Sequence, residues 1–509
     1  MDFTKAFDYI NRAAMYYKLI KRGVDGKMLN LIKNMYNKAT TIVKWKGKVG
    51  ENTIDSNFGV LQGGMLSPKL FTEFLSNIKE HLNKTCGIVV NDELVSYMLY
   101  ADDMALMSDS ADGLQQLLDN LYQYCNKWHL IVSLAKTNIM IFTKKRTTET
   151  FKFGSEEIQY VEEYKYLGNI ISNKKNIFSM NTTYLTDKAH KAMFSLSSYI
   201  SSVVGHLQPE LALKMFDAQI SPILEYGSEI WYNNKPEDSK EKLHLAFFKN
   251  ILKVKTSTST VAVYSELGRF PLQLKHKTRM LNYWNRILTL EEGHIIKQAY
   301  NSLLQLHDWG QTNWCTHVRD NLIEVGLIAS WHNQTLDTRA FNNYREKIHS
   351  NYMNHIMTLI QDYTSNPKLR TYKLFKNDFK RENYFNDIQN EQYRIALTRF
   401  RLSAHNLAIE TGRYTKPKTP INNRTCLYCK NHLIENEIHF LLECPMYDAE
   451  RQILLTSVSP FLPGIDNTTN ETKFVTIMSS KIFNVMHALG KFLFDSLKKR
   501  NSAINVPLD

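Results

Sequence analysis

The stretch Tyr97-Met98-Leu99-Tyr100-Ala101-Asp102-Asp103-Met104-Ala105-Leu106-Met107 constrains this chain more than any other. Two short apolar runs of strand character meet at adjacent carboxylates, the pattern of a β-hairpin with two acids at its tip. Like charges held side by side are costly unless something positive neutralises them, and a divalent ion does that best. Hard cations such as Mg²⁺ prefer carboxylate oxygens and keep positions open for phosphates. Two such ions, about 4 Å apart, clamp the attacking and leaving oxygens of a phosphoryl transfer. A solvated hairpin tip is the competing explanation, and only the rest of the chain can set it aside.

Around the hairpin the patterning alternates. Residues 4–22 carry a helical stripe (Ala6, Phe7, Ile10, Ala13, Ala14, Tyr17, Ile20) ended by Gly23, and Thr41–Trp45 reads as a strand. After Gly63-Gly64 a helix is expected with Ser67 as N-cap and Pro68 at its first position, followed by Leu70, Phe71, Phe74, Leu75, Ile78 and Leu82 on one face. A helix over about 111–128 and a strand over Asn138–Phe142 complete an α+β region. From about 180 to 410 the pattern is almost wholly helical, with breaks near Asn233-Asn234-Lys235-Pro236 and near Pro271. Pro417 and Pro420 then introduce a cysteine cluster, and an amphipathic helix (Ile482, Val485, Met486, Leu489, Phe492, Leu493) follows it.

With 509 residues the chain has room for about three or four domains. Its 43% hydrophobic content excludes wholesale disorder. Lys and Arg number 63 against 50 acids, a net charge of +13 that points to polyanionic partners, nucleic acid first among them. No apolar run is long enough to span a bilayer, and Met1–Asp8 lacks the apolar core of a signal peptide. The expectation is an intracellular protein of the nucleus or cytoplasm, with no membrane partner. The basic runs Lys144-Lys145-Arg146 and Lys498-Lys499-Arg500 fit nuclear entry and plain solvent exposure equally well.

The second chemical signal is Cys426-x2-Cys429-x9-His439-x4-Cys444, half of the six cysteines plus one imidazole. Three thiolates and a histidine at this spacing can close a tetrahedral Zn²⁺ site, with His432 as a competing ligand. Tyr428 and Phe440 flank the ligands and suit either stacking on unpaired bases or packing on the small metal core. Upstream, Arg394, Arg399, Arg401 and Arg413 gather around Leu397, Phe400 and Leu407. They read either as a basic face tracking a phosphate backbone or as an ordinary solvated face.

Taken in order, these segments resemble the reverse transcriptases of non-LTR (LINE-type) retrotransposons. Asp2-Phe3-Thr4-Lys5-Ala6-Phe7-Asp8 is similar to that family's first metal motif, and Gly59–Pro68 to its template-and-nucleotide motif. Tyr100-Ala101-Asp102-Asp103 is similar to its catalytic hairpin, and Lys136-Thr137 and Tyr166-Leu167-Gly168 to the two motifs that follow. The resemblance extends through Tyr226–Trp231 to the Cys-Cys-His-Cys knuckle, here with a longer central spacing, while Ser133 stands where many relatives carry Asn.

The resemblance implies a polymerase palm, an antiparallel sheet with packed helices, over 1–172. A helical thumb (173–270), a helical connector with a basic face (271–415), a zinc knuckle (416–450) and a helical tail (451–509) would follow. It implies an RNA-directed DNA polymerase that uses two Mg²⁺, an element RNA template, a DNA primer and dNTP. Asp2 and Asp102 would bridge the metals, Asp103 would be an outer ligand, and Lys136 would protonate the pyrophosphate leaving group. Phe7 would screen the ribose 2′-OH or simply fill the core. Gln62, Gly63, Ser67, Tyr100 and Ala101 would line the nucleotide site, and Asp8 would serve a supporting role. The palm strand before Asp2, the fingers and an endonuclease domain find no counterpart here and would come only from a full-length parent. The expectation is therefore a truncated copy, weakly active or inactive, with Asp2 poorly held so near a chain end. A catalytically silent nucleic-acid-binding protein is the alternative. An intron-maturase-like factor fits the cysteine cluster less well.

Overall fold

The computed structural model describes all residues except 56–57, 83–84, 143–148, 200–207, 234–238, 336–337, 363, 365, 430–431 and 505–509. Lys144-Lys145-Arg146 and the break at Asn234–Pro236 lie outside the described residues. The chain forms two compact units, Met1–Asn181 with Leu290–Gln311, and Thr182–Thr289 with Thr312–Asp509. Among the described residues no helix is long and apolar enough to cross a membrane.

The first unit is mixed α and β. The expected hairpin forms from strands Tyr97–Tyr100 and Asp103–Leu106, paired Tyr97↔Leu106 through Tyr100↔Asp103. That register leaves Ala101 and Asp102 as a two-residue turn. The adjoining strands make further small ladders: Thr40–Trp45 with Lys48–Asp55, Ile88–Val90 with Glu93–Val95, Glu163–Tyr166 with Asn169–Ser172, and a three-stranded group around Glu156–Tyr160. These are separate ladders rather than one continuous antiparallel palm sheet, and the pairing of Asn138–Ile139 with Glu156–Tyr160 is parallel. The helix Ala111–Trp128 runs as its periodicity predicts. Ser110 caps it by accepting from the Gly113 amide, and Leu117, Leu121 and Tyr124 face the core. His129, in the left-handed region at φ 55°, ends it, and the Leu130 amide reaches back to the Cys125 carbonyl.

Three local expectations are corrected. The helix expected over 4–22 spans only Arg12–Lys21, with Asn11 as its cap. Residues 7–10 are held instead by the next motif, for the Gly59 amide donates to Ile10 O and the Val60 amide to Phe7 O. The helix after Gly64 begins at Ser67, yet the Ser67 hydroxyl does not cap it and donates to the Leu61 carbonyl. That helix stops at Leu75, and Ile78–His81 is a separate turn.

The second unit is mainly helical over its described residues, with one antiparallel bridge between Thr425 and Ile434, around a core that includes Phe216, Phe248, Leu397, Phe440, Phe474 and Leu489. Its interior also holds charges. Arg401 and Glu266, 2% and 0% exposed, form a pair joined by the Tyr372 and Tyr384 hydroxyls. Arg370 bridges Glu410 and Glu437, and Arg500 donates to both oxygens of Glu435 through Nε and Nη2. Buried charges persist only when each is answered in this way.

Candidate functional site

In the first unit the acids of two distant motifs meet. Met1 exchanges backbone hydrogen bonds with Met104 (2.7 and 2.9 Å), and Asp2 bridges Asp103 in antiparallel fashion. Flanked by a hydrogen-bonded pair, Asp2 and Asp103 form a non-hydrogen-bonded pair, in which cross-strand side chains share a face and approach closest. The Ser133 amide donates to Asp2 O, and Phe3 bridges Val132. Asp2 is thus pinned on both sides, contrary to the expectation that it would be poorly held.

Asp102 occupies the turn itself, after Ala101 at φ 51°. A positive φ at the first central residue of a two-residue hairpin is ordinarily the place of glycine, so Ala101 is strained. Burial raises the Asp103 carboxyl above its usual range, and the neighbouring Asp102 and Asp2 charges raise it further. Lys136 Nζ donates to Asp2 Oδ2 at 2.6 Å, and this bond raises the lysine above its ordinary value. Tyr164 donates its hydroxyl to the Lys136 carbonyl at 3.1 Å. Asp2, Asp103 and Lys136 therefore come together, with Asp102 close enough to perturb Asp103.

The template motif is fixed by close backbone contact. Gly59 has φ 76°, and a Cβ there would lie 2.6 Å from both Phe7 O and Asp8 O. Gln62 Nε2 donates to Asp8 Oδ1 at 3.1 Å. Phe7 is half-buried and stacks on Phe71 at 5.1 Å, so its packing role is evident. Gly63 has φ 79°, and Tyr100 and Ala101 are exposed at the hairpin tip. Ser67 is 2% exposed and turned inward.

Two residues missed by sequence reasoning hold this frame. Arg12 donates to the carbonyls of Gly59, Phe58 and Tyr36. Lys18 Nζ reaches Phe74 O, Asn77 Oδ1 and the Tyr124 hydroxyl and lies 3.7 Å from the Trp128 ring centre. Burial lowers the Lys18 ammonium to about 7. The only signal for either was a basic residue on the same helix as an apolar stripe.

In the second unit Cys426, Cys429, His439 and Cys444 are all buried, with one donor atom each lying within 4.8 Å of the others. No second group of this kind occurs among the described residues, so Asp2, Asp102 and Asp103 are more loosely gathered. A single π-type turn, His439–Glu443, sets the imidazole opposite Cys429, with Nε2 3.5 Å from its sulfur. His439 Nδ1 makes no hydrogen bond among the described residues, and Glu443 Oε2 lies 3.5 Å from it. Contact with Cys444 and burial push the Cys426 thiol up to about 12. The donor set therefore fits zinc. His432 is exposed and stands outside the group.

The arginines near the cluster do not form one basic face. Arg394 and Arg401 are buried, the first donating to Ile388 O and the second paired with Glu266. Arg413 pairs with Glu410, and only Arg399 is exposed. Tyr428 lies under the Arg500 guanidinium, 5.6 Å from ring centre to cation, so it packs within the fold.

Residues 1–171 match the family described as reverse transcriptase (RNA-dependent DNA polymerase). The RNA-directed DNA polymerase from mobile element jockey of Drosophila melanogaster is 26% identical over 239 residues, 45% of this chain and 25% of that protein. The Pol polyprotein of retrotransposable element R2DM of the same species is 29% identical over 182 residues, 33% of this chain and 17% of that protein. A transposon-derived protein of Caenorhabditis elegans is 24% identical over 238 residues, 45% of this chain and 82% of its own length. The chain thus spans about a quarter or less of the jockey and R2DM proteins.

Proposed function

We propose that the chain is an RNA-directed DNA polymerase of the non-LTR, LINE-type retrotransposons, a reading supported by the match of residues 1–171 to the reverse transcriptase family and by the likeness to the jockey and R2DM proteins. The observation that carries this reading is the pairing of Asp2 with Asp103, beside Asp102, across segments 101 residues apart in sequence. In the proposed reaction a primer 3′-hydroxyl attacks the α-phosphorus of a dNTP. The new O–P bond forms as the bond to pyrophosphate breaks.

Asp2, Asp102 and Asp103 are the residues that would hold two Mg²⁺. All donors are carboxylate oxygens, the choice of a hard cation, and the like-charge crowding that raises Asp103 is what a dication relieves. When bound, Mg²⁺ supplies charge neutralisation at the reacting phosphate. Lys136, protonated and held on Asp2, would deliver a proton to the departing pyrophosphate. Phe7, Gln62, Gly63, Tyr100 and Ala101 would border the incoming nucleotide. Template RNA and primer would lie along this face, followed by a thumb over 173–270 and a connector over 271–415. Cys426, Cys429, His439 and Cys444 would hold a closed, structural Zn²⁺.

Primer extension on an RNA template, with purified chain, dNTPs and Mg²⁺, tests the reading. Extension lost in Asp102→Ala/Asp103→Ala supports it. Template binding without extension favours the silent nucleic-acid-binding alternative.

A further inference from the structure

In the second unit a cavity of about 710 Å³ opens beside the exposed Arg399. Its wall carries Lys253, Lys255, Arg399 and Lys498, and no carboxylate lines it among the described residues. The four cations come from three separate elements: the turn after helix Ser239–Ile251, helix Glu391–Arg401 and helix Phe483–Ile504. All four are exposed. Two are positioned by the groove itself. Arg399 Nε donates to the Lys253 carbonyl at 2.7 Å, and Lys255 Nζ donates to Asn406 Oδ1 at 2.7 Å.

Lys253 is the most telling of them. It sits just past a helix end at φ 53°, in the left-handed region where glycine is the ordinary occupant. A lysine there costs backbone strain, and among the described residues its ammonium makes no ion pair. The floor between the cations is apolar, with half-buried Phe494 and Leu497 from one helix. Exposed cations around a half-buried apolar floor suit the phosphates of a flexible single strand.

We propose that this groove binds the phosphodiester backbone of single-stranded nucleic acid. The inference rests on the reading of the chain as a nucleic-acid enzyme and adds a contact the polymerase motifs do not supply. Each phosphate contact contributes a salt slope of about 0.7, so three lost contacts lower the slope by about 2 and weaken binding on the order of 100-fold at 0.1 M salt.

The test is fluorescence anisotropy of a labelled 12-nucleotide single strand, as RNA and as DNA, with the zinc-loaded full chain over a salt series. The groove variant is Lys253→Gly/Lys255→Gln/Lys498→Gln, and the charge-matched control is Lys188→Gln/Lys242→Gln/Lys473→Gln. The first is expected to lose both slope and affinity, and the second to keep them. Equal loss in the two variants, or none in the groove variant, overturns the proposal. So does displacement of the strand by tripolyphosphate at matched charge, which would mark a small-anion site. Lys253→Gly alone should keep the wild-type urea midpoint, because glycine suits φ 53°, and it provides a folded single variant whose unchanged slope would also refute the idea. Loss of the groove leaves the primer-extension signal of the wild-type chain untouched as evidence, so the two readings fail separately.

Discussion

Arg401 discriminates between two kinds of arginine. Its sequence context left a phosphate contact and an ordinary solvated face equally open, whereas its guanidinium is 2% exposed, pairs with Glu266 and Glu382, and donates to Met478 O at 2.7 Å. Arg401→Met keeps the volume and removes the charge. Glu266, 0% exposed, then retains only the Tyr372 and Tyr384 hydroxyls (2.8 and 3.0 Å) and the field of Lys376. Removing one partner of a buried pair costs about 3–5 kcal/mol. At a slope of about 3 kcal/mol per molar urea, the midpoint of unfolding falls by about 1–1.7 M. Glu266→Gln/Arg401→Met removes both charges and should recover part of that loss, a coupling that a double-mutant cycle reads directly. The assay is urea unfolding followed by circular dichroism, beside anisotropy with single-stranded RNA. An unchanged midpoint together with weakened RNA binding would refute the structural assignment and restore the phosphate contact.

Three further outcomes follow from the same geometry. Ala101→Gly removes a positive-φ strain of about 1–2 kcal/mol, less the extra entropy of glycine, and should raise the urea midpoint slightly. A fall would contradict the strain. Lys18 is held near 7 in the fold by burial, against about 10.4 in an unfolded chain, so between these values the unfolded state binds the extra proton. Stability should rise with pH from about 7 to about 10 and be flat just below, a dependence that Lys18→Met abolishes; urea titrations at pH 6.5 and 9.5 check it. Cys444→Ser should remove one zinc per chain by metal analysis and lower the urea midpoint, whereas full zinc content in that variant would contradict the tetrad.

Much of the site was legible where short-range chemistry fixes it. The paired acids between two apolar runs gave the hairpin, and the Cys426–Cys444 spacing gave the tetrad, including the choice of His439 over His432. Helix Ala111–Trp128 was legible because its cap, stripe and core face agree. What failed depended on partners far along the chain. Phe7 and Ile10 matched a helical stripe, yet their backbone carbonyls serve Gly59 and Val60, some fifty residues away, so the helix starts only at Arg12. Ser67 had a cap's sequence context, but Leu61 O claimed its hydroxyl. Arg401 looked like surface because Glu266, its counter-charge, lies 135 residues earlier. The ordering of Asp103 opposite Asp2, with Asp102 in the turn, depends on register, which alternation alone does not set.

The most direct test counts cations at the paired acids. With the zinc-loaded chain, RNA template, primer and a non-hydrolysable dNTP analogue, Mn²⁺ binding is followed by electron paramagnetic resonance. The account predicts two ions per chain, with fewer in Asp2→Asn and in Asp102→Asn. Wild-type protein that holds primer and template yet binds no Mn²⁺, or variants that bind the full two, would contradict it.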